Sequence, residues 1–359
     1  MSDEPAQKVT FFIDSLGGGG IERVTAVLAN GFSSHGFDVH IVLRGKAGHE
    51  YPTLDGMQKH YLDTEGRENW YRLLWRHLRK TRAIFKQIGD GPVISLAVPP
   101  ADIFVVYGLL FSGRRMILSE RNDPQNAPRA LWRKIVRLLC YCLADAVVFQ
   151  TQNAKNYFPK TIRKKGVVIP NPLMSDLPVR HEGKRRKEVV NFCRFSPQKN
   201  LRLLIDAFAL VAKKHADFSL ALYGHGPQEE ELREYAKQRS IAEKVHFRGF
   251  LKDIHRAVVD SMIFISSSDY EGLSNSMLEA LAIGLPVICT DCPAGGGRAF
   301  IRPYENGLLV PPCDIVALSE AINTLIENES LREKLSQNAV KIREVLQAEK
   351  IFLQWLALM

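Results

Sequence analysis

Short apolar runs alternate with amphipathic stretches along this chain, and the series occurs twice. Apolar runs at 9–13, 38–43, 116–118, 146–149 and 167–169 read as strands, with an amphipathic helix over 21–34 between the first two. Strand, helix and strand in succession predict a parallel sheet, because parallel neighbours need a crossover long enough to hold a helix. After Asn171-Pro172, a polar stretch over 175–188 containing Lys184-Arg185-Arg186-Lys187 reads as a linker. A second series follows, with strands at 189–192, 218–223, 245–247, 262–265 and 286–289 and helices over 201–214, 229–238 and 276–283. Segments 315–327, 331–346 and 350–358 read as further helices. The expected fold is α/β, two doubly wound Rossmann-like domains facing across a cleft, with the first over 1–174, the linker over 175–188 and the second over 189–345. At 359 residues the chain exceeds one typical core, which agrees with two domains.

Two stretches combine amphipathicity with positive charge. Over 70–88, Trp70, Leu74, Leu78, Phe85 and Ile88 share one helical face, while Arg72, Arg76, Arg79, Lys80, Arg82 and Lys86 lie elsewhere. Over 129–143, Trp132, Ile135, Val136, Leu139 and Leu143 alternate in the same way with Arg129, Arg133, Lys134 and Arg137. Both are expected to pack the apolar stripe inward and leave the basic face for solvent or an anionic membrane surface. All of the net charge of +9 falls in residues 1–180, which hold 25 Lys and Arg against 16 Asp and Glu; the remainder is balanced at 23 each. Nucleic acid is a poorer partner, since no zinc finger, RNP-like aromatic motif or glycine-arginine repeat accompanies the charge. The acidic start Met1-Ser2-Asp3-Glu4-Pro5 does not read as a signal peptide, and no apolar run reaches the ~20 residues of a membrane span. Six scattered cysteines, among them the isolated Cys289-Thr290-Asp291-Cys292, show no zinc spacing and suit a reducing, cytoplasmic address.

Candidate chemistry centres on Tyr270-Glu271-Gly272-Leu273-Ser274-Asn275-Ser276-Met277-Leu278-Glu279-Ala280. Glu271 precedes a glycine turn and Glu279 lies about two helical turns beyond it, with the helix start between them offering backbone N–H donors to phosphate oxygens. Three loops suit phosphate. Ser15-Leu16-Gly17-Gly18-Gly19-Gly20-Ile21-Glu22-Arg23 links the first strand to its helix, but it is neither a GxGxxG fingerprint nor a Walker loop. In Cys193-Arg194-Phe195-Ser196-Pro197-Gln198-Lys199-Asn200, Arg194 supplies a planar fork and Lys199 a point charge, together suiting a diphosphate. Tyr223-Gly224-His225-Gly226-Pro227 reads either as a third cradle or as a plain turn.

In order and spacing these motifs resemble the retaining glycosyltransferases of the bacterial E-x7-E family, glycosyltransferase family 4, with the GT-B fold. Besides the loops, the resemblance rests on Val168-Ile169-Pro170-Asn171-Pro172, Phe247-Arg248-Gly249-Phe250 and Asn306-Gly307-Leu308-Leu309-Val310. It implies a first domain that binds acceptor, a second that binds a nucleotide-sugar, and a final helix over 346–359 that returns to the first. Carried over, Glu271 would contact the transferred sugar's hydroxyls, Glu279 the ribose, and Arg194 with Lys199 the diphosphate. Backbone at Gly249 and Phe250 would hold the base, while Gly272, Leu273, Ser274 and Asn275 would line the donor, and Gly19 and Gly20 would close over the diphosphate. Where relatives often carry His after Ser119-Glu120, this chain has Arg121, which is assigned to phosphate or a sugar hydroxyl; Ala299 stands where Glu is common.

Asp-x-Asp is missing from the sequence, so no metal and no cofactor beyond the donor are expected, and the leaving diphosphate is assigned to Arg194, Lys199 and helix-start N–H groups. The expectation is a membrane-peripheral, cytoplasmic transferase moving a hexose or N-acetylhexosamine from a UDP-sugar to a glycan or polyprenyl-linked acceptor. Three alternatives stand beside it: an inactive nucleotide-sugar-binding scaffold, a sugar-nucleotide epimerase of the same fold, and a nicotinamide-dependent oxidoreductase, which the defective dinucleotide fingerprint disfavours.

Overall fold

The structure is a computed structural model and describes residues 6–62 and 69–359; residues 1–5, where the acidic start was read, lie outside it, as does the Trp70 side chain. The chain divides into two compact units, one reaching to Pro172 and including Ala348–Met359, the other Leu173–Gln347. The first is built on seven parallel strands: β1 (Lys8–Ile13), β2 (Asp38–Leu43), β3 (Gln58–Tyr61), β4 (Val93–Ser95), β5 (Met116–Glu120), β6 (Ala146–Phe149) and β7 (Gly166–Val168), in the order β3-β2-β1-β4-β5-β6-β7. The second holds six: β8 (Arg186–Phe192), β9 (Ser219–Tyr223), β10 (Val245–Gly249), β11 (Ser261–Ser266), β12 (Val287–Thr290) and β13 (Leu308–Val310), in the order β10-β9-β8-β11-β12-β13. Central strands such as β1 and β11 are buried on both faces, which is why they read as continuous apolar runs rather than alternating ones. This is the expected doubly wound α/β architecture, in both units.

Each sheet reverses its order between two neighbours, β1 and β4 in the first and β8 and β11 in the second. Loops leaving such strands at their carboxyl ends diverge and open a crevice suited to ligands. In the second unit those loops are Cys193–Asn200, after β8, and the stretch leading from β11 to Glu271. The Ala348–Leu356 helix packs on the Gly20–Ser34 helix, with Phe352 edge-on to Phe32 at 4.8 Å and stacked on His35 at 4.2 Å.

Several elements depart from expectation. β3 is the polar edge sequence Gln58-Lys59-His60-Tyr61, and β4 and β13 have three residues each, too few for a pattern. The Asp102–Leu109 helix is apolar on all sides and so lacks a helical period. Segment 331–346 divides into Glu329–Ala339 and Ile342–Val345. Within the basic stretch read as a linker, Arg186 opens β8, and Arg185 donates to the carbonyls of Val259, Ser261 and Gly284 and to Ser336 Oγ at 2.9–3.0 Å.

One reversal is large. The Trp70–Ile88 helix buries Leu78, Phe85 and Ile88 as expected, but the Leu131–Leu143 helix turns Trp132, Ile135, Leu139 and Leu143 outward and buries Arg137. The cause is Glu120 at the end of β5, a buried carboxylate that would be costly unpaired. Arg137 Nη1 donates to Glu120 Oε2 at 2.9 Å and to Ala127 O at 2.8 Å, and Nη2 to Pro124 O at 2.9 Å. Rotating the helix to bury its leucines would withdraw all three bonds.

Candidate functional site

In the second unit, five side-chain or backbone bonds stitch the loop after β8 to the loop after β11. Asp269 N donates to Gln198 O at 3.0 Å, and Ser267 Oγ to Lys199 O at 2.9 Å. Asn200, in left-handed backbone at φ 41°, caps the Leu201–Lys214 helix through Leu203 N and donates its amide to Asp269 Oδ1 at 2.5 Å. The fourth bond joins the two residues of chemical interest, for Lys199 Nζ lies 2.6 Å from Glu271 Oε2. Gln198 Nε2 and Ser268 Oγ donate to the same oxygen, each at 3.3 Å. The pair is partly open to solvent, at 18% and 19% exposure of its side chains. Burial alone would lower the Lys199 pKa, yet the carboxylate of Glu271 and the thiol of Cys193 turn the net shift upward, so its charge is secure. Cys193 itself is pushed up to about 12 by burial, with Lys199 opposing and Glu271 adding to the rise.

The stretch from Glu271 onward is held from beneath. Thr290 Oγ1 and Cys292 Sγ donate to Ser268 O at 2.6 and 3.1 Å, which gives the isolated CxxC a structural use. Gly296 lies so close to the Gly272 carbonyl that a Cβ there would collide with it. Ser274 then caps the Asn275–Ala282 helix through Met277 N. On that helix Glu279 is 4% exposed and accepts from His255 Nε2 at 2.8 Å, while the imidazole stands edge-on to Phe192 at 5.8 Å. Reasoning from sequence missed His255, because a single histidine in Lys252-Asp253-Ile254-His255 gives no spacing that points to a carboxylate 24 residues away.

Of the remaining second-unit residues, Arg194 is exposed on the loop after β8, and Gly249 ends β10 at φ 68°. Phe250 follows with its ring 61% exposed and 6.0 Å from that of His225. The turn at Tyr223-Gly224-His225-Gly226-Pro227 is explained by packing, since a side chain at Gly224 would strike Cys193 O and Phe195 N donates to His225 O. Arg194, Lys199, Gly249, Phe250, Glu271, Gly272, Leu273, Ser274, Asn275 and Glu279 are thus distributed over the loops that follow β8, β10 and β11 and the Asn275–Ala282 helix.

Gly19, Gly20 and Arg121 belong to the first unit. Gly19 precedes the Gly20–Ser34 helix, and the Glu22 carboxylate folds back against it, so the loop is not a bare anion cradle. Arg121 is 7% exposed and donates to Asn171 Oδ1 at 2.5 Å, tying the Ser119-Glu120-Arg121 strand end to the Pro170-Asn171-Pro172 motif. Burial lowers its pKa to about 10 and leaves it charged, and its Nε has no hydrogen-bond partner. Among the described residues, no cluster of His, Cys, Asp and Glu has the makings of a metal site, and no helix is long and apolar enough to cross a membrane.

The family model for glycosyltransferase family 4 matches residues 18–176, and that for glycosyl transferases group 1 matches residues 177–342. An uncharacterised glycosyltransferase of Haemophilus influenzae is 25% identical, covering 97% of this chain and 99% of its own length. The N-acetylgalactosamine-N,N'-diacetylbacillosaminyl-diphospho-undecaprenol 4-alpha-N-acetylgalactosaminyltransferase of Campylobacter jejuni is 27% identical over 94% of each chain. The crystal structure of Anabaena Alr3699/HepE in complex with UDP and glucose superposes with a TM-score of 0.84 at 17% identity, over 98% of each chain. With both units matched and the doubly wound sheets in place, the chain belongs to the family 4 glycosyltransferases of GT-B fold.

Proposed function

We propose that this glycosyltransferase moves a hexose or N-acetylhexosamine from a UDP-sugar to a sugar hydroxyl on a lipid-linked or polysaccharide acceptor, with retention and without a metal, at the cytoplasmic face of a membrane. The observation that carries the reading is the Lys199–Glu271 pair, a secured cation and a carboxylate side by side at a strand switch point and open to solvent. A diphosphate and the sugar it carries need those two groups as neighbours. The Campylobacter relative, named for an undecaprenol-linked acceptor and an alpha product, supports the acceptor class, and an alpha product is what retention gives from an alpha-linked donor; the Anabaena complex supports UDP.

In this reading Lys199 and Arg194 meet the negative charge that develops on the departing diphosphate, acting as a fixed electrostatic clamp. Glu271 grips the hydroxyls of the transferred sugar through its carboxylate. Its pairing with Lys199 couples the two halves of the donor, since a diphosphate arriving at Lys199 loosens the ion pair and frees Glu271 Oε2 to accept from sugar. Glu279, oriented by His255, takes the ribose, and backbone at Gly249 and Phe250 takes the base, with the Gly272-Leu273-Ser274-Asn275 turn beside the phosphates. The acceptor oxygen attacks the anomeric carbon on the face from which the diphosphate leaves. The carbon–oxygen bond to diphosphate breaks, and a phosphate oxygen takes the acceptor's proton.

A thermal-shift panel of UDP, GDP, ADP, NAD and common UDP-sugars tests the reading, because ligand at 100 times its dissociation constant stabilises by ~2.7 kcal/mol. Shifts with UDP and selected UDP-sugars are expected, and no shift with any nucleotide would overturn the donor site. Retention is checked separately, by the anomeric coupling constant of the product.

A further inference from the structure

We propose that the outward apolar face of the Leu131–Leu143 helix is a docking face for an anionic lipid bilayer. This deepens the membrane reading above by assigning it to particular residues. Leu131 is 72% exposed, Trp132 57%, Leu139 59% and Leu143 60%, so the larger apolar side chains of this helix stand in water while Arg137, Cys140 and Tyr141 face the protein. Amphipathic helices on soluble proteins are arranged the other way, and a contiguous exposed apolar face marks a surface that another phase or partner covers.

A second exposed apolar residue follows the helix that packs against this one. The Asp102–Leu109 helix packs on this one, and Phe111, two residues past its end, is 93% exposed on a left-handed backbone at φ 64°. A bulky residue held there gains nothing from water and is strained besides.

Charge selects the occupant. The helix sequence LWRKIVRLLCYCL contains no acidic residue, Arg133 lies over the Trp132 ring at 5.1 Å, and Arg129 flanks the same end. Cations bordering an apolar face complement anionic headgroups above acyl chains. A second copy of the chain fits poorly, because a two-fold contact sets the patch against itself and pairs two cationic surfaces whose helix has no acidic residue to offset them.

The test is flotation of the full chain with vesicles of phosphatidylcholine alone and of phosphatidylcholine with phosphatidylglycerol. Wild type is expected on the anionic vesicles, weakened by salt. A Leu131→Asn/Leu139→Asn double variant is expected to lose at least tenfold in vesicle partition with an unchanged melting temperature, and Phe111→Ser to lose severalfold. Val316→Asn, which alters an equally exposed apolar residue of the second unit, is expected to float like wild type. If the double variant also floats like wild type, the face assignment is wrong while the membrane reading stands. Wild type that ignores every vesicle overturns both, and a dimer dispersed by the double variant without vesicle binding gives the face to self-association instead.

Discussion

Each unit carries a carboxylate and a cation near the carboxyl end of a central strand, and the two pairs differ in access. Glu120, the last residue of β5, and Arg137 have side chains 1% and 2% exposed, whereas Lys199 and Glu271, beside β8 and β11, are 18% and 19% exposed. The sealed guanidinium also donates through Nη1 and Nη2 to backbone carbonyls, and at 2% exposure it is out of a ligand's reach. It fixes how the Leu131–Leu143 helix lies, and the exposed leucines follow from that. Burial pushes the Glu120 carboxyl up to about 7 despite Arg137, as expected where desolvation rivals Coulombic attraction. The open pair keeps three donors converging on one oxygen at a place a ligand can reach. Opposite charges at a strand end do not by themselves separate architecture from binding; access and the identity of the competing partners do.

The comparison breaks most sharply under substitution. Glu271→Gln is expected to lower turnover by about 10²–10³-fold, the scale of a lost transition-state contact, while leaving the melting temperature nearly unchanged. Arg137→Met should do the opposite, destabilising the first unit by about 3–5 kcal/mol through an uncompensated buried carboxylate. Adding Glu120→Leu to it should recover much of that loss in a denaturant titration. A loss of activity but not stability in Arg137→Met would blur the distinction.

Asp102 extends the sealed side of the comparison to a carboxylate without a cation. It is fully buried, accepts from Ser95 Oγ at 2.7 Å, and has its other oxygen unpartnered. Burial pushes its pKa to about 8, against the Ser95 hydrogen bond and with Glu120 and Asp14 adding to the rise. The raised value means the folded state holds a proton that the unfolded state releases near pH 4. Stability from this group is therefore full below that pH and falls as pH rises towards 8, by at most about 1.4 kcal/mol per unit. Asp102→Asn should flatten the melting temperature between pH 5 and 8 and raise it at the alkaline end. The smallest effect is expected from His255→Ala, which should weaken UDP binding about tenfold, the scale of one hydrogen bond to a charged group, with less effect on kcat. His255→Gln should restore part of it.

Much of the fold was legible because both sheets are parallel and buried, which writes central strands as unbroken apolar runs. β3, β4 and β13 were not, being polar or only three residues long. At the candidate site, Glu271, Glu279, Arg194 and Lys199 were assigned from motif order, but nothing local says that Lys199 meets a carboxylate 72 positions away or that His255 meets Glu279. The Leu131–Leu143 helix shows the limit most plainly. Its period defined two faces, and a single buried arginine, indistinguishable in sequence from its exposed neighbours, decided which one turned inward.

Photolabelling with 5-azido-UDP-glucose, followed by peptide mapping, tests most directly the claim that the open pair marks the donor site. Label on the second unit, on peptides carrying His225 or Gly249 and Phe250 and suppressed by excess UDP, is the predicted result. UDP-protected label confined to the first unit, around Glu120 and Arg137, would contradict it.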